Sequence, residues 1–229
     1  MIPALDARLA AAARLCRPGM VVADIGCDHG KLTAYLACTG LYPKVIGADL
    51  RPGPLSKAAQ TVQNAGCGGC VDLRLGDGLS VLAPGEAGTI VLAGMSAQTA
   101  IEILSAARWV FAPDGPRLVL VPATRHAILR AWLYRSGFAL AADEPVQAAG
   151  HWYAVMAADY AGEPQPLTLE RCLYGRTGEY PGGADYAALQ RGRLQKLRRG
   201  LQDAEPLAQA IDAHLQAARA AGLPCTLPR

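Results

Sequence analysis

Val21-Val22-Ala23-Asp24-Ile25-Gly26-Cys27-Asp28-His29-Gly30 is the stretch on which the fold turns. An apolar strand ends in an acid, then in small and polar residues that let the backbone turn sharply, and a helix follows. This is the layout of a nucleotide-type site at the carboxyl end of a first parallel strand. Two further predicted strands also end in an acid, at Asp49 and Asp77, so that the three acids follow one another at intervals of 25 and 28 residues. One Gly-rich turn says little, but three acids at one edge of a sheet describe a site.

Around that stretch, strands and helices alternate. Strands are expected at Met20–Ile25, Val45–Ala48, Val71–Arg74, Thr89–Leu92, Arg117–Val121, Phe138–Val146 and His151–Ala157, and helices at Lys31–Thr39, Leu55–Asn64, Ala97–Ala107 and His126–Arg135. Leu5, Leu9, Ala12, Ala13 and Cys16 recur at helical spacing and give an opening amphipathic helix. The pattern requires an α/β fold: a doubly wound, mostly parallel sheet with helices on both faces. The short turn Gln147–Gly150 makes the last two strands a hairpin. Two prolines in Gly162-Glu163-Pro164-Gln165-Pro166 mark a linker. Beyond it, Leu189, Leu194, Leu197 and Leu201 fit one helix face, and Leu207, Ile211, Leu215 and Ala218 another. The expected organisation is a domain over 1–161 and an antiparallel helix pair over 167–222.

Composition bounds the function. With 52% hydrophobic and 18% charged residues the 229-residue chain is globular. No apolar run approaches the ~20 residues of a membrane span, and the N-terminus has no secretory pattern, so a cytoplasmic protein with no membrane partner is expected. Cys16, Cys27, Cys38, Cys67, Cys70, Cys172 and Cys225 form no regular framework and read as reduced thiols. The lone Cys67-Gly68-Gly69-Cys70 has no second pair, so no metal is assigned and a Gly-rich turn is the simpler account. Residues 165–229 hold nine Lys/Arg against six Asp/Glu, whereas residues 1–164 hold thirteen of each. The whole net charge of +3 therefore lies in the C-terminal quarter.

Asp28 stands where a dinucleotide fingerprint has its second glycine, and a carboxylate there would repel a diphosphate. S-adenosylmethionine carries a cationic amino group and a sulfonium instead, which favours it over NAD. Asp49 suits a pair of ribose hydroxyls and also an N-cap; Asp77 suits an adenine amino group and also a plain Asp-Gly turn. With Asp24 they make the cofactor set, together with Gly26, Cys27, Gly30, Leu50, Gly78 and Gly94. Asp28, His29 and Met95 are the candidate catalytic residues, although His29 also suits a local hydrogen bond and Met95 the core. Arg191, Arg193, Lys196, Arg198 and Arg199, with Lys31, suit RNA phosphates; a solvated helix face is the other account of the cluster.

These motifs resemble one family of class I methyltransferases, the TrmK-like bacterial tRNA (adenine-N1)-methyltransferases that modify position 22. The resemblance spans about residues 5 to 160. It rests on Ala23–Gly30, Gly53-Pro54-Leu55-Ser56-Lys57-Ala58, Arg74-Leu75-Gly76-Asp77-Gly78-Leu79, Leu92-Ala93-Gly94-Met95 and Arg130-Ala131-Trp132-Leu133. It implies a Rossmann-like fold with a C-terminal helical extension, S-adenosyl-L-methionine as cofactor and tRNA as partner; the sequence does not decide between a monomer and a homodimer. The chain departs from the family at Ser96-Ala97, where Gly-Gly is usual, at Val121-Pro122-Ala123, where Gln-Pro-Asn is usual, and at Lys31, where Tyr is usual. Methylation of another RNA position or a small molecule therefore stays open, as does an RNA-binding protein without catalysis.

Overall fold

A computed structural model describes residues 2–224; Cys225 lies outside them. The order is α1 (Ala7–Leu15), β1 (Val22–Ile25), α2 (Lys31–Cys38), β2 (Val45–Asp49), α3 (Pro52–Ala65), β3 (Val71–Leu75), β4 (Thr89–Ala93), α4 (Ala97–Ala106), β5 (Arg117–Val121), α5 (His126–Arg135), β6 (Phe138–Ala148) and β7 (His151–Tyr160). The C-terminal unit adds α6 (Leu169–Tyr174), α7 (Gly183–Arg198) and α8 (Pro206–Ala220).

The sheet order is β3-β2-β1-β4-β5-β7-β6. Strands β1 to β5 pair in parallel, and β7 pairs antiparallel with β5 and β6. The strand order reverses between β1 and β4, and that switch point opens a crevice at the carboxyl ends of the strands. Pro145 sits within β6, the edge strand, where its missing N–H is tolerated.

Both faces of the sheet are covered because its strands are apolar on both sides. Val22, Val45, Val91 and Val119 join the core under α1 and α2, while Ala23, Ile46, Ile90 and Leu118 join the core under α4 and α5. Asp24 shares the Val22 face, so its carboxylate projects among apolar neighbours. That placement drives its chemistry.

The helical unit differs from the expected pair in two respects. A short helix, α6, precedes it, and the buried face of α7 carries Tyr186, Gln190, Arg191 and Leu194. Leu197, placed on the apolar face from its spacing, is 51% exposed. The unit is also bolted to the sheet domain. Arg130 of α5 and Asp143 of β6, both fully buried, form a bidentate pair at 2.8 and 3.0 Å. The same guanidinium donates to the carbonyl of Leu173 (2.8 Å) and the hydroxyl of Tyr186 (3.2 Å), both in the helical unit. Asp143 accepts from the Arg176 N–H at 3.1 Å. Gly175 has to be glycine here: its φ is +53°, and a Cβ would collide with Asp143 and Arg130. Burial works against charge on Arg130, but Asp143 and Tyr186 hold the guanidinium more firmly protonated than usual. The Arg-x-Trp-Leu run of the sequence is thus a clamp between the two parts of the chain.

Candidate active site at the sheet's carboxyl edge

The turn after β1 passes through Gly26 and then Asp28, a non-glycine residue in the left-handed region at φ +49°, which aspartate tolerates better than most. Gly30 begins α2 at φ +67°, and a Cβ there would lie 2.7 Å from that of Ala58. Only glycine lets the turn lie this close to α3. Asp49 holds the turn from the second strand, accepting from the Asp28 N–H at 3.1 Å and the Arg51 N–H at 3.0 Å.

These turns enclose a cavity of about 620 Å³. Asp24, Gly26, Cys27, Asp28, His29, Lys31, Asp49, Leu50, Asp77, Gly78, Gly94 and Met95 all line it. Every catalytic and cofactor candidate named from the sequence is there except Gly30, which shapes the turn from behind.

Electrostatics divide these residues. Burial pushes the Asp24 carboxyl up to about 6; the hydrogen bond from the Thr33 hydroxyl (2.7 Å) opposes this, and the charge of Asp49 adds to it. A buried carboxylate without a cation beside it is a poor anion, so a cationic group entering the cavity would find a matched site. Burial also pushes the Cys27 thiol up to about 12, helped by Asp24 and Asp49, which disqualifies it as a nucleophile. Asp28 and His29 are exposed, with His29 Nε2 3.7 Å from Asp28 Oδ1 and 3.4 Å from Lys57 Nζ. Leu50 is exposed at the rim, and Ile103 packs against Gly78. These are apolar surfaces suited to a planar base.

Among the wall residues missed from sequence are Asp6, Arg8, Arg51 and Thr99. Asp6 caps α1, accepting from the Leu9 N–H at 2.9 Å, and pairs with Arg8 at 3.0 Å. The Arg8 guanidinium lies 5.2 Å from the centre of the Tyr153 ring on β7. No local motif marks this pair, because its members are 145 positions apart. Arg74 does not reach the cavity; it binds Asp72, Glu86 and the carbonyl of Val81, pinning the loop that carries Asp77. The departures at Ser96-Ala97 also have a structural account. Ser96 caps α4, accepting from the Thr99 N–H at 3.1 Å, and Ala97 is fully buried.

The cationic cluster of α7 is less uniform than its sequence suggests. Arg191 is only 4% exposed and donates to the carbonyl of Pro224, and Arg198 is paired with Asp203 and Asp212. In the structure both serve as links within the helical unit, although the partners Pro224 and Asp203 are themselves exposed. Arg193, Lys196 and Arg199 remain exposed. The Cys67 thiol donates to the carbonyl of Ala34 on α2, and the Cys70 thiol to that of Cys67 in the turn before β3. Among the described residues no helix is long and apolar enough to cross a membrane.

A doubly wound sheet closed by an antiparallel strand, with an acid-lined crevice at its switch point, defines the methyltransferase class. The chain belongs to the methyltransferase domain family, whose sequence profile matches residues 5–156. A tRNA (adenine(22)-N(1))-methyltransferase of Bacillus subtilis is 32% identical over 155 residues, 68% of this chain and 65% of the relative, so the match spans less than two thirds of that protein. The crystal structure of the B. subtilis M1A22 tRNA methyltransferase TrmK superimposes with a TM-score of 0.78 at 25% identity, covering 95% of this chain and 98% of that one. A putative tRNA (m1A22) methyltransferase of Streptococcus pneumoniae, solved in complex with S-adenosyl-L-methionine, gives 0.78 and 25% over 91% of this chain and 98% of that one.

Proposed function

We propose that the protein transfers the methyl group of S-adenosyl-L-methionine to N1 of an adenine in tRNA. The observation that carries this reading is the acid-lined cavity, with Asp24, Asp49 and Asp77 on three successive strand ends and Asp28 at its mouth. S-adenosyl-L-methionine fits such a donor set, since its amino group and sulfonium are cationic. It supplies, when bound, an activated methyl group on sulfur.

The chain's residues then divide the work. Asp24 answers the amino group, Asp49 accepts from both ribose hydroxyls, and Asp77 accepts from the adenine amino group between the apolar surfaces of Leu50 and Ile103. N1 of adenine carries a free lone pair at neutral pH, so no residue has to remove a proton before attack. The turn Gly94–Met95 leaves room for the base, and its main task is to align N1 with the methyl carbon and exclude water. The N1–C bond forms as the C–S bond breaks, and the positive charge passes from sulfur to the purine. Asp28, at the mouth, stabilises that charge as it develops. His29 assists by holding Asp28.

An adenine inside a folded tRNA has to leave its stack to reach this turn. The exposed Arg193, Lys196 and Arg199 bind phosphates, with Lys31 at the cavity rim. A cytoplasmic setting goes with this substrate. The activities and ligand named for the B. subtilis and S. pneumoniae relatives support the reading. Incubation with S-adenosyl-L-methionine and bulk tRNA, followed by nucleoside mass spectrometry, tests it. N1-methyladenosine is the expected product, and a different methylated nucleoside or none refutes it.

A further inference from the structure

A second recess, of about 730 Å³, opens beside the first between the β5–α5 loop, the start of β7 and α7. Its walls include Arg125, Trp152, Tyr153, Gln190 and Arg193, and no acidic side chain lines it. Two contacts join it to the acid-lined cavity. The Ala123 N–H donates to the Met95 carbonyl at 2.8 Å, and Arg8, on the wall of the first cavity, lies over the ring of Tyr153, on the wall of the second. The two recesses are thus neighbours, joined through Met95–Ala123 and Arg8–Tyr153.

The recess has the chemistry of a nucleotide seat. Arg125 and Arg193 are exposed, and neither joins an ion pair among the described residues. Arg125 begins α5 in the left-handed region at φ +58°, which turns its side chain out of the helix start. His126 behind it contributes no charge: burial, with Arg130 and Arg193 nearby, holds its imidazole down to about 3, and its Nδ1 lies 2.9 Å from the Tyr186 hydroxyl. Gln190 is the second, independent sign. It is only 7% exposed, lines the recess, and its Nε2 is the buried side-chain atom among the described residues that has no hydrogen-bond partner. An unmet buried amide is costly and rare, whereas an amide that meets a base edge is a common reading device.

We propose that this recess seats the nucleotide adjoining the methylated adenine, with Arg125 and Arg193 on its flanking phosphates and the Gln190 amide hydrogen-bonded to its base. The inference rests on the RNA methyl-transfer reading above and deepens it by assigning a specificity determinant. The half-buried Trp152 ring gives the base an apolar wall.

The test compares wild type, the double variant Arg125→Ala/Arg193→Ala and Gln190→Leu. Measurements are KM for tRNA, affinity for S-adenosyl-L-methionine, and binding of labelled tRNA across a salt series. The double variant should raise KM about tenfold and flatten the log–log salt slope by about 1.4 to 1.8, two contacts at ~0.7–0.9 each, with cofactor affinity unchanged. A KM within twofold of wild type with the same salt slope overturns the proposal. Wild type should also discriminate among tRNAs carrying each of the four bases beside the target, and Gln190→Leu should erase that preference. A preference kept by the variant, or absent from wild type, overturns the role of Gln190. The exposed arginines decide the seat even if the Gln190 variant fails to fold. Should wild type make no N1-methyladenosine, the parent reading fails by itself, and the tRNA titration still decides the recess.

Discussion

Two adjoining recesses at one edge of the sheet carry opposite chemistry. In the first, Asp6, Asp24, Asp28, Asp49 and Asp77 outnumber Arg8, Lys31 and Arg51; the second has Arg125 and Arg193 and no acid at all. Apart from Asp6, which caps α1, the acids sit at strand ends and in tight turns, where the local backbone fixes their position. The cations and the amide come from α5 and α7, brought together by packing of the helical unit. One half of the site is thus built by local turns and suits a small cation, and the other is built by tertiary docking and suits a polyanion.

The largest effect should come from breaking what holds the halves together. Arg130→Met leaves Asp143 buried without its partner, and such a loss costs about 3–5 kcal/mol. Urea unfolding should show that deficit, and Arg130→Lys should not restore it, because one ammonium cannot replace the fork that reaches Asp143, Leu173 and Tyr186. A fall of under about 1 kcal/mol would mean that the helical unit is held elsewhere. For the same reason the chain cut at residue 162 should be unstable, because it strips Arg130 of its Leu173 and Tyr186 contacts and Asp143 of the Arg176 N–H.

Next in size is the cofactor half. Asp49→Ala removes a carboxylate that also holds the Asp28 and Arg51 N–H groups. Affinity for S-adenosyl-L-methionine should fall by about 1.5–3 kcal/mol, the range for a charged hydrogen-bond partner. Calorimetry checks this, and unchanged affinity removes Asp49 from the ribose position.

The third effect is a pH dependence with two opposite signs from one group. The Asp24 carboxyl is raised from 3.8 to about 6. Its folded value exceeds its unfolded one, so its contribution to folding stability is fullest below about pH 4 and is lost as pH rises through 6. Cofactor binding needs the ionised form, so affinity should be full above pH 6 and fall by up to about tenfold per unit below it. Asp24→Asn should flatten the affinity profile over that window. A wild-type profile that is flat from pH 5 to 7 would refute the pairing of Asp24 with a cation.

The smallest effect sharpens the α7 cluster. Replacing Arg193, Lys196 or Arg199 by Gln should each flatten the salt dependence of tRNA binding by about 0.7–0.9 units, whereas Arg198→Gln, already committed to Asp203 and Asp212, should leave it unchanged. A loss at Arg198 equal to the others would contradict the distinction between paired and free cations.

The same contrast explains what could be read from the sequence. The alternation of strands and helices and all three acidic strand ends were legible, because each is a local pattern of apolar runs and turn residues. Asp28 was legible from a single misfit, an acid where a diphosphate site needs glycine. The second recess and the docking around it were not. Arg8 meets Tyr153 across the whole sheet domain, and Gln190 and Arg191 are polar residues buried on a helix face that apolar spacing alone assigned to leucines. Arg130 stood out as part of a motif, yet its partners Asp143, Leu173 and Tyr186 are visible only once β6 and the helical unit are folded against α5. Residue types at a turn announce their surroundings; residue types on a docked helix do not.

The most direct test of this two-part site is to measure cofactor and RNA affinity side by side on two variants. One is Asp49→Asn; the other replaces Arg193, Lys196 and Arg199 together by Gln. Calorimetry with S-adenosyl-L-methionine and filter binding with labelled tRNA at low salt give four numbers to set against wild type. The first variant should lose cofactor affinity and keep tRNA affinity, and the second should do the reverse. If each variant loses both affinities to a similar extent while melting like wild type, the two recesses are not separate sites and the account is wrong.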